Sequence, residues 1–298
     1  MSETVGHCGY ATILGRPNVG KSTLLNRILG QKVSITSPKP QTTRHRILGI
    51  KTSGASQVVY VDTPGLHRHA KRALNRYLNR AARGAVHDVD AIVFVTEALK
   101  WTDDDALVLD ALRDVKIPVV LAVNKVDKVA DKRLLLPHLK ELSGKMAFAH
   151  VIPISAGRGD NVAVLEREVL GLMPVSPSLF PTDQITDRSE RFLTAELIRE
   201  QLTLALRDEL PYSCSVEIDK FAEQDNRVHV HATLWVERPS QKAIVIGKDG
   251  AMLKKMGVKA RQEIERLLDR KVFLQLWVKV KEEWADNERA LRGLGYTE

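Results

Sequence analysis

The run Gly15-Arg16-Pro17-Asn18-Val19-Gly20-Lys21-Ser22-Thr23 constrains this chain more than any other feature. It fits the pattern G-x-x-x-x-G-K-[ST], follows the strand-like Ala11-Thr12-Ile13-Leu14 and opens a helix-like stretch from Ser22 to Leu29. A strand that turns through glycines into a helix N-terminus aims several backbone N–H groups at one spot, which favours an anion there. Lys21 adds a point charge beside the transferable phosphate of a bound polyphosphate, and the Ser22 hydroxyl suits Mg²⁺. The plain alternative is a glycine-rich turn carrying one exposed lysine.

Three later strings supply what a nucleotide site needs next, in the right order. Asp62-Thr63-Pro64-Gly65 closes the β-branched run Val58 to Val61, placing a carboxylate at a strand's carboxyl end to hold a Mg²⁺-bound water. Gly65 offers a backbone N–H to the terminal phosphate with no side chain in the way. Asn124-Lys125-Val126-Asp127 follows the apolar run Pro118 to Val123. Asp127 can accept two hydrogen bonds that guanine offers and adenine does not, so GTP is expected over ATP. Ser155-Ala156, after Val151 to Ile154, is expected to point backbone N–H groups at the base oxygen. The loop Pro38-Lys39-Pro40-Gln41-Thr42-Thr43-Arg44-His45 holds the remaining metal ligand. Thr43, with Thr42 as the second choice, would reach Mg²⁺ only while the terminal phosphate is present.

With these motifs in hand the chain resembles the Era family of translation-factor-class GTPases, and the likeness extends over essentially its whole length. The resemblance implies Lys21, Thr43, Gly65 and Asn18 as catalytic residues. It implies Ser22, Thr43 and Asp62 as the Mg²⁺ set, and GTP/GDP as the nucleotide. Many related GTPases carry a water-orienting glutamine after Asp-x-x-Gly, where this chain has Leu66. Slow intrinsic hydrolysis is therefore expected. Relatives with Gly-Arg-Pro-Asn in the phosphate loop can use the asparagine to hold K⁺, which makes Asn18 a candidate for a K⁺-stimulated rate.

At 298 residues there is room for two domains. In the first half, strands expected near 7–14, 46–52, 56–61, 91–96, 118–123 and 149–154 alternate with helices near 21–29, 72–86, 103–114, 131–143 and 161–172. That alternation predicts an α/β domain, a doubly wound, mostly parallel sheet at 1–173. Three prolines mark 174–187 as a linker. Cys8 and Cys214 lack metal-ligand spacing and read as small buried residues of a reducing, cytoplasmic compartment. The start of the sequence has no basic segment leading into an apolar one, and no run of eighteen apolar residues occurs, so neither secretion nor a membrane span is expected.

Residues 188–298 read as a smaller α+β domain. Ala195, Ile198, Leu202, Ala205 and Leu206 recur at helical spacing, with Glu196, Arg199, Glu200 and Arg207 expected on a solvent face. Two strands, 213–221 and 227–236, precede Ile244-Val245-Ile246-Gly247-Lys248-Asp249-Gly250 and an amphipathic helix to about Leu268, and a final strand covers 271–280. This order resembles a type II KH domain, whose Gly-x-x-Gly loop clamps about four nucleotides of single-stranded backbone. By propensity Ala243 to Ile246 looks like a strand; the resemblance makes it a short helix. Trp277 is expected in the core, and Trp284 with the residues to Leu291 resembles a short closing helix.

Residues 176–298 carry 20 Lys+Arg against 21 Asp+Glu, so any RNA contact must come from a local cluster. Lys242, Lys248, Lys254, Lys255, Lys259 and Arg261 form it, and phosphate contacts respond to charge within about 8 Å. Asp249 is the unfavourable member. Arg44, Arg46, Arg68, Lys71 and Arg72 read as a second basic surface. The family implication is binding to single-stranded 16S rRNA at its 3′ end and assistance to the 30S subunit, by a monomer in the cytoplasm with weak peripheral association at the inner face of the membrane. Two rivals stay open at this point: a lipid-associated signalling GTPase, and an RNA scaffold with an inactive nucleotide fold.

Overall fold

The computed structural model describes residues 6–39, 42–65, 74, 77–78, 84, 88–206, 210–282 and 284–286. They form two compact units. The first takes the chain to Ser34, resumes at Thr43 and ends at Asp187; the second takes Ile35–Thr42, a short piece ending at Tyr77, and the chain from Arg188.

The first unit contains β1 (Cys8–Leu14), α1 (Lys21–Leu29), β2 (Ile47–Ser53), β3 (Ser56–Asp62), β4 (Ala91–Glu97), α2 (Asp103–Leu112), β5 (Val119–Asn124), α3 (Leu135–Ser143), β6 (His150–Pro153) and α4 (Val162–Gly171). The strand order is β2-β3-β1-β4-β5-β6. Only β2 runs antiparallel to its neighbour, and the remaining pairs are parallel. Consecutive residues of β3, β4 and β5 are buried, as strands covered on both faces require. Phosphate-loop, Asp62, Asn124 and Ser155 segments all leave the carboxyl ends of strands, where open sheets of this type bind ligands.

Chemistry explains the local choices. Thr102 begins α2: its backbone N–H and hydroxyl both donate to Asp105 Oδ2, at 2.9 and 2.8 Å, satisfying an otherwise orphaned helix end. The expected helix at 131–143 starts as a 3₁₀ turn, Lys132–Leu134, and continues as α3. The segment read as a linker is docked along this unit. Cys8 N–H donates to the Pro174 carbonyl (2.9 Å), Ile50 N–H to Ile185 (2.8 Å), and buried Gln57 Oε1 accepts from the N–H groups of Leu179 and Phe180 at 3.0 Å each. The helix expected at 72–86 falls largely outside the described residues, as do Gln41, Leu66, Arg68, Lys71, Arg72 and the tail after Asp286.

The second unit contains α5 (Glu190–Ala205), β7 (Cys214–Gln224), β8 (Arg227–Val236), α6 (Pro239–Ile246), α7 (Ala251–Leu268) and β9 (Val272–Val280). Its sheet order is β7-β8-β9, with β7–β8 antiparallel and β8–β9 parallel. The alternation Val228, Val230, Ala232, Leu234, Val236 faces Leu197, Ile198 and Leu202 of α5 and Met256, Ala260 and Ile264 of α7 in one apolar core. Cys8 and Cys214 are buried free thiols.

At Ala243–Ile246 the short helix that the resemblance implies is present, and three other expectations are corrected. The strand that propensity favours at Ala243–Ile246 is helix: Pro239 presets the first turn, and Gln241 Oε1 accepts from the N–H groups of Glu237 and Arg238 at 2.8 and 3.0 Å. Trp277 stands on the outward face of β9, 38% exposed and edge-on to His231, while Trp284 is fully buried and donates to the Ser213 carbonyl. Arg44 is buried and not part of a basic surface. The charged face of α5 is also buried, with Glu196, Arg199 and Glu200 at 5, 3 and 2% exposure.

Candidate nucleotide and RNA sites

Helix α1 opens at Gly20 with no side-chain cap and no acid in its first turn, which leaves its N–H groups and positive dipole end for an anion. Lys21 is buried, and its ammonium donates to the carbonyls of Gly15 (3.0 Å) and Arg16 (3.1 Å) across the loop. Burial pulls its pKa down to about 8, against the attraction of Asp62. A second anion's charge would reverse that shift. Gly65 lies against the loop: a Cβ there would come within 2.7 Å of Pro17 N, so only glycine fits.

The three expected metal ligands meet. Ser22 Oγ donates to Asp62 Oδ2 at 2.7 Å and lies 2.8 Å from Thr43 Oγ1, while Ser34 Oγ donates to the same Asp62 oxygen at 2.8 Å. Asp62 Oδ1 is buried with no hydrogen-bond partner among the described residues. Burial pushes this carboxyl's pKa up against the opposing pull of the two serines and Lys21. An orphaned buried carboxylate oxygen beside two hydroxyls is an all-oxygen donor set that fits a hard cation such as Mg²⁺. Thr42 lies one residue away, and its hydroxyl is engaged by Ser37 and by the Lys39 carbonyl.

Around the base, the side chain of Asp127 accepts from Ser155 Oγ at 2.6 Å, and this bond, foremost among several, holds its pKa down. Asn124 joins three loops. Its Nδ2 donates to the Val19 carbonyl (2.8 Å), and its Oδ1 accepts from Lys125 N–H (2.7 Å) and Ala156 N–H (2.9 Å). Ser155 N–H goes to the Asp160 carbonyl at 3.0 Å. The N–H groups expected on the base oxygen are thus engaged within the protein; the serine hydroxyl instead aims the aspartate.

Lys125 has φ 65° and reaches back to the Asn18 carbonyl (2.8 Å) and Glu97 (2.9 Å). Glu97 also accepts from Arg16 (3.0 Å), whose Nε pairs with Asp105 at 3.0 Å. Burial alone would raise the Glu97 pKa, but the bonds and charges of Lys125 and Arg16 outweigh it and hold it low. Glu97, Asp105 and Ser34 were not legible as site residues, because no local pattern tells a helix-capping or strand-ending acid from one that braces a loop. Thr23, next to Ser22, sits in the first turn of α1, and Thr63 ties its hydroxyl to the Ile13 carbonyl (3.0 Å) while Pro64 leads to Gly65.

In the second unit Gly247, at φ 73°, ends α6, and Asp249 and Gly250, at φ 50 and 75°, turn the chain into α7. A Cβ at Gly247 would meet Met252 Cβ at 2.7 Å. Lys242, Lys248, Asp249, Lys254 and Lys255 are exposed around this turn, and among the described residues no carboxylate pairs with these lysines. Ile244 and Val258 are 51 and 43% exposed on α6 and α7. Apolar side chains out of register beside a basic turn suit unstacked bases, and that mismatch was a signal the sequence offered.

A family profile described as a 50S ribosome-binding GTPase matches residues 10–125, and a KH-domain profile matches residues 209–285. The chain is 54% identical over 297 residues to GTPase Era of Pseudomonas savastanoi pv. phaseolicola, covering 99% of each. It is 56% identical over 292 residues to GTPase Era of Coxiella burnetii, covering 98% of this chain and 99% of that one. A crystal structure of an Aquifex aeolicus Era variant bound to GDP and AlF4⁻ matches with TM-score 0.94 and 37% identity, over 98% of this chain and 100% of that one. A crystal structure of Era with MgGDPNP and nucleotides 1506–1542 of 16S ribosomal RNA matches with TM-score 0.95 and 38% identity at the same coverage.

Proposed function

The chain belongs to the Era family of GTPases, and on that premise we propose that it is a GTP-driven switch whose second unit clamps the 3′ end of 16S rRNA to assist assembly of the 30S subunit. The observation that carries this reading is the convergence of Ser22, Thr43 and Asp62 on one point in a chain that also carries a GxxG turn. An Era relative solved with GDPNP and 16S rRNA lends the RNA its identity.

The proposed roles follow from position. The α1 N-terminus and Lys21 bind the phosphates, and Gly15 to Thr23 wrap them. Asp127, aimed by Ser155, selects guanine, with Asn124 and Lys125 bracing the loop and Ala156 beside it. Mg²⁺, when bound, neutralises phosphate charge; Ser22, Thr43 and Asp62 would hold it. Gly65 N–H faces the terminal phosphate. With Leu66 at the glutamine position, intrinsic turnover is expected to be slow, and Asn18 is the candidate K⁺ contact. Gly247, Lys248, Asp249, Gly250, Lys242, Lys254 and Lys255 form the RNA clamp.

We place the protein in the cytoplasm as a monomer, with weak peripheral contact to the inner face of the membrane. Among the described residues no helix is long and apolar enough to cross a membrane. The test is paired: GTP turnover with Mg²⁺, and binding of a 16S 3′-end oligonucleotide against a scrambled one. Saturable turnover with sequence-selective RNA binding supports the reading. Turnover without RNA selectivity, together with sedimentation on anionic vesicles, would transfer it to a lipid-associated GTPase.

A further inference from the structure

The sheet of the second unit has two faces, and one of them lies outside its core. Val228, Val230, Ala232, Leu234 and Val236 of β8 pack inward against α5 and α7. The residues between them, His229 to Trp235, point the other way beside their register partners Phe273 to Lys279 of β9. A sheet face turned to solvent is ordinarily polar. Here Phe273 and Trp277 are 44 and 38% exposed, and four rings form one row. Ring centroids lie 5.3 Å apart from His229 to Phe273, 6.3 Å from Phe273 to His231 and 5.4 Å from His231 to Trp277. None is stacked flat on the next, since the interplanar angles are 39, 66 and 70°. Beyond the row, Lys279 and Lys281 sit over the Trp235 ring, 5.7 and 5.6 Å from its centroid. Glu217 and Asp219 of β7 are acids on this face, and each is engaged: Glu217 accepts from Trp235 Nε1 at 2.7 Å and Asp219 from Thr233 Oγ1 at 2.8 Å. The outward positions of β8 and β9 from His229 to Trp235 and from Phe273 to Lys279 hold no carboxylate.

We propose that this ring row is a second seat for single-stranded RNA, its bases taken by Phe273, Trp277, His229 and His231 and its phosphates by Lys279 and Lys281. The proposal rests on the reading of the second unit as an RNA module and adds a site to it. The GxxG turn opens α7, which covers the inward face of the sheet, so the ring row lies on the side of the sheet away from the clamp. Aromatic faces accept any base, because every base has a π-face of its own, and nearby cations hold the backbone that links them. Alternate residues of a strand stand about 6.6 Å apart, roughly twice the about 3.4 Å step between nucleotides of a duplex strand. The seat therefore suits an unstacked strand and not a double helix. Lysines without carboxylates among the rings favour a polyanion over a second apolar protein surface.

The test titrates the full chain with an oligouridine of about twelve nucleotides, and with an RNA duplex of the same length, at fixed salt. Phe273→Ala with Trp277→Ala is expected to lose about tenfold in oligouridine affinity and nothing in duplex affinity, while Trp277→Phe, which keeps a ring, retains most of the single-strand binding. Lys279→Gln is expected to lower the salt slope for oligouridine by about 0.7. Both ring positions are exposed, so the denaturant midpoint of the double variant should match that of the parent. Unchanged oligouridine affinity in the double variant, or an equal loss for oligouridine and duplex, overturns the proposal. Unchanged affinity together with a shift toward a smaller species in gel filtration overturns it in favour of a surface that meets a second copy of the chain. Lys248→Gln with Lys254→Gln separates the two readings. If this clamp variant weakens oligouridine binding and the ring variant does not, only the ring row is excluded; if neither does, the RNA reading of the second unit fails with it.

Discussion

The nucleotide loops and the GxxG turn are both glycine-punctuated entries into a helix, yet they are built differently. Around α1 the charged side chains of the site are held in place: Lys21 by the loop carbonyls of Gly15 and Arg16, Arg16 by Glu97 and Asp105, Lys125 by Glu97, Asp127 by Ser155. Around α7 the lysines stand in solvent without carboxylate partners among the described residues. A preorganised polar cage selects one ligand and is sensitive to a single deletion, whereas a set of exposed charges distributes affinity over many small contacts.

That contrast orders the expected effects. Lys21→Ala should lower GTP turnover about 10²–10³-fold, and near wild-type turnover would mean the cage does not do the chemistry. Asp127→Ala should erase at least about 10²-fold of discrimination between GTP and ATP in competition binding. Asn124→Ala leaves the Val19 carbonyl and the Lys125 and Ala156 N–H groups without their partner. It should cost about 2–3 kcal/mol of first-unit stability, measured by denaturant unfolding, because buried groups are orphaned.

Protonation gives a smaller test. Lys21 without nucleotide sits at about 8, so it is charged at pH 7 and largely neutral at pH 9. Phosphates favour the charged form, so binding above pH 8 must draw in a proton. GTP affinity is expected to fall about fivefold between pH 8 and 9, with proton uptake near zero at pH 7 and near one at pH 9 by calorimetry in two buffers. The sign also applies to folding: above about pH 8 the unfolded chain holds the extra proton, so the penalty of burying Lys21 charged disappears as pH rises. The smallest effect belongs to the clamp. Lys254→Gln or Lys255→Gln should weaken RNA binding only a fewfold and reduce the salt slope by about 0.7 each, leaving GTP affinity alone.

The same contrast explains what the sequence disclosed. The phosphate loop, Asp62, Asn124-to-Asp127 and Ser155 are contiguous strings at strand ends, so their chemistry and their place follow from one reading, as do β1 through β9 from their apolar periods. What escaped depends on partners distant in sequence. Glu196, Arg199 and Glu200 look like a solvated helix face until Thr36 and Thr42 arrive to cover them. Arg44 has the composition of a surface residue and the burial of a core one. Trp277 obeys the strand alternation but on the outward side, since period two fixes that faces differ and not which one is buried. Ala243–Ile246 did not escape: mostly β-branched by composition, it is the short helix that the resemblance implied, because Pro239 and Gln241 organise its first turn.

The central claim is that nucleotide state is read by the RNA clamp. Its most direct test is the dissociation constant of a single-stranded 16S 3′-end RNA, measured at fixed salt and Mg²⁺ with saturating GDP and with a saturating non-hydrolysable GTP analogue. The account predicts binding tighter by about fivefold or more in the GTP-analogue form. Equal constants in the two forms would contradict it.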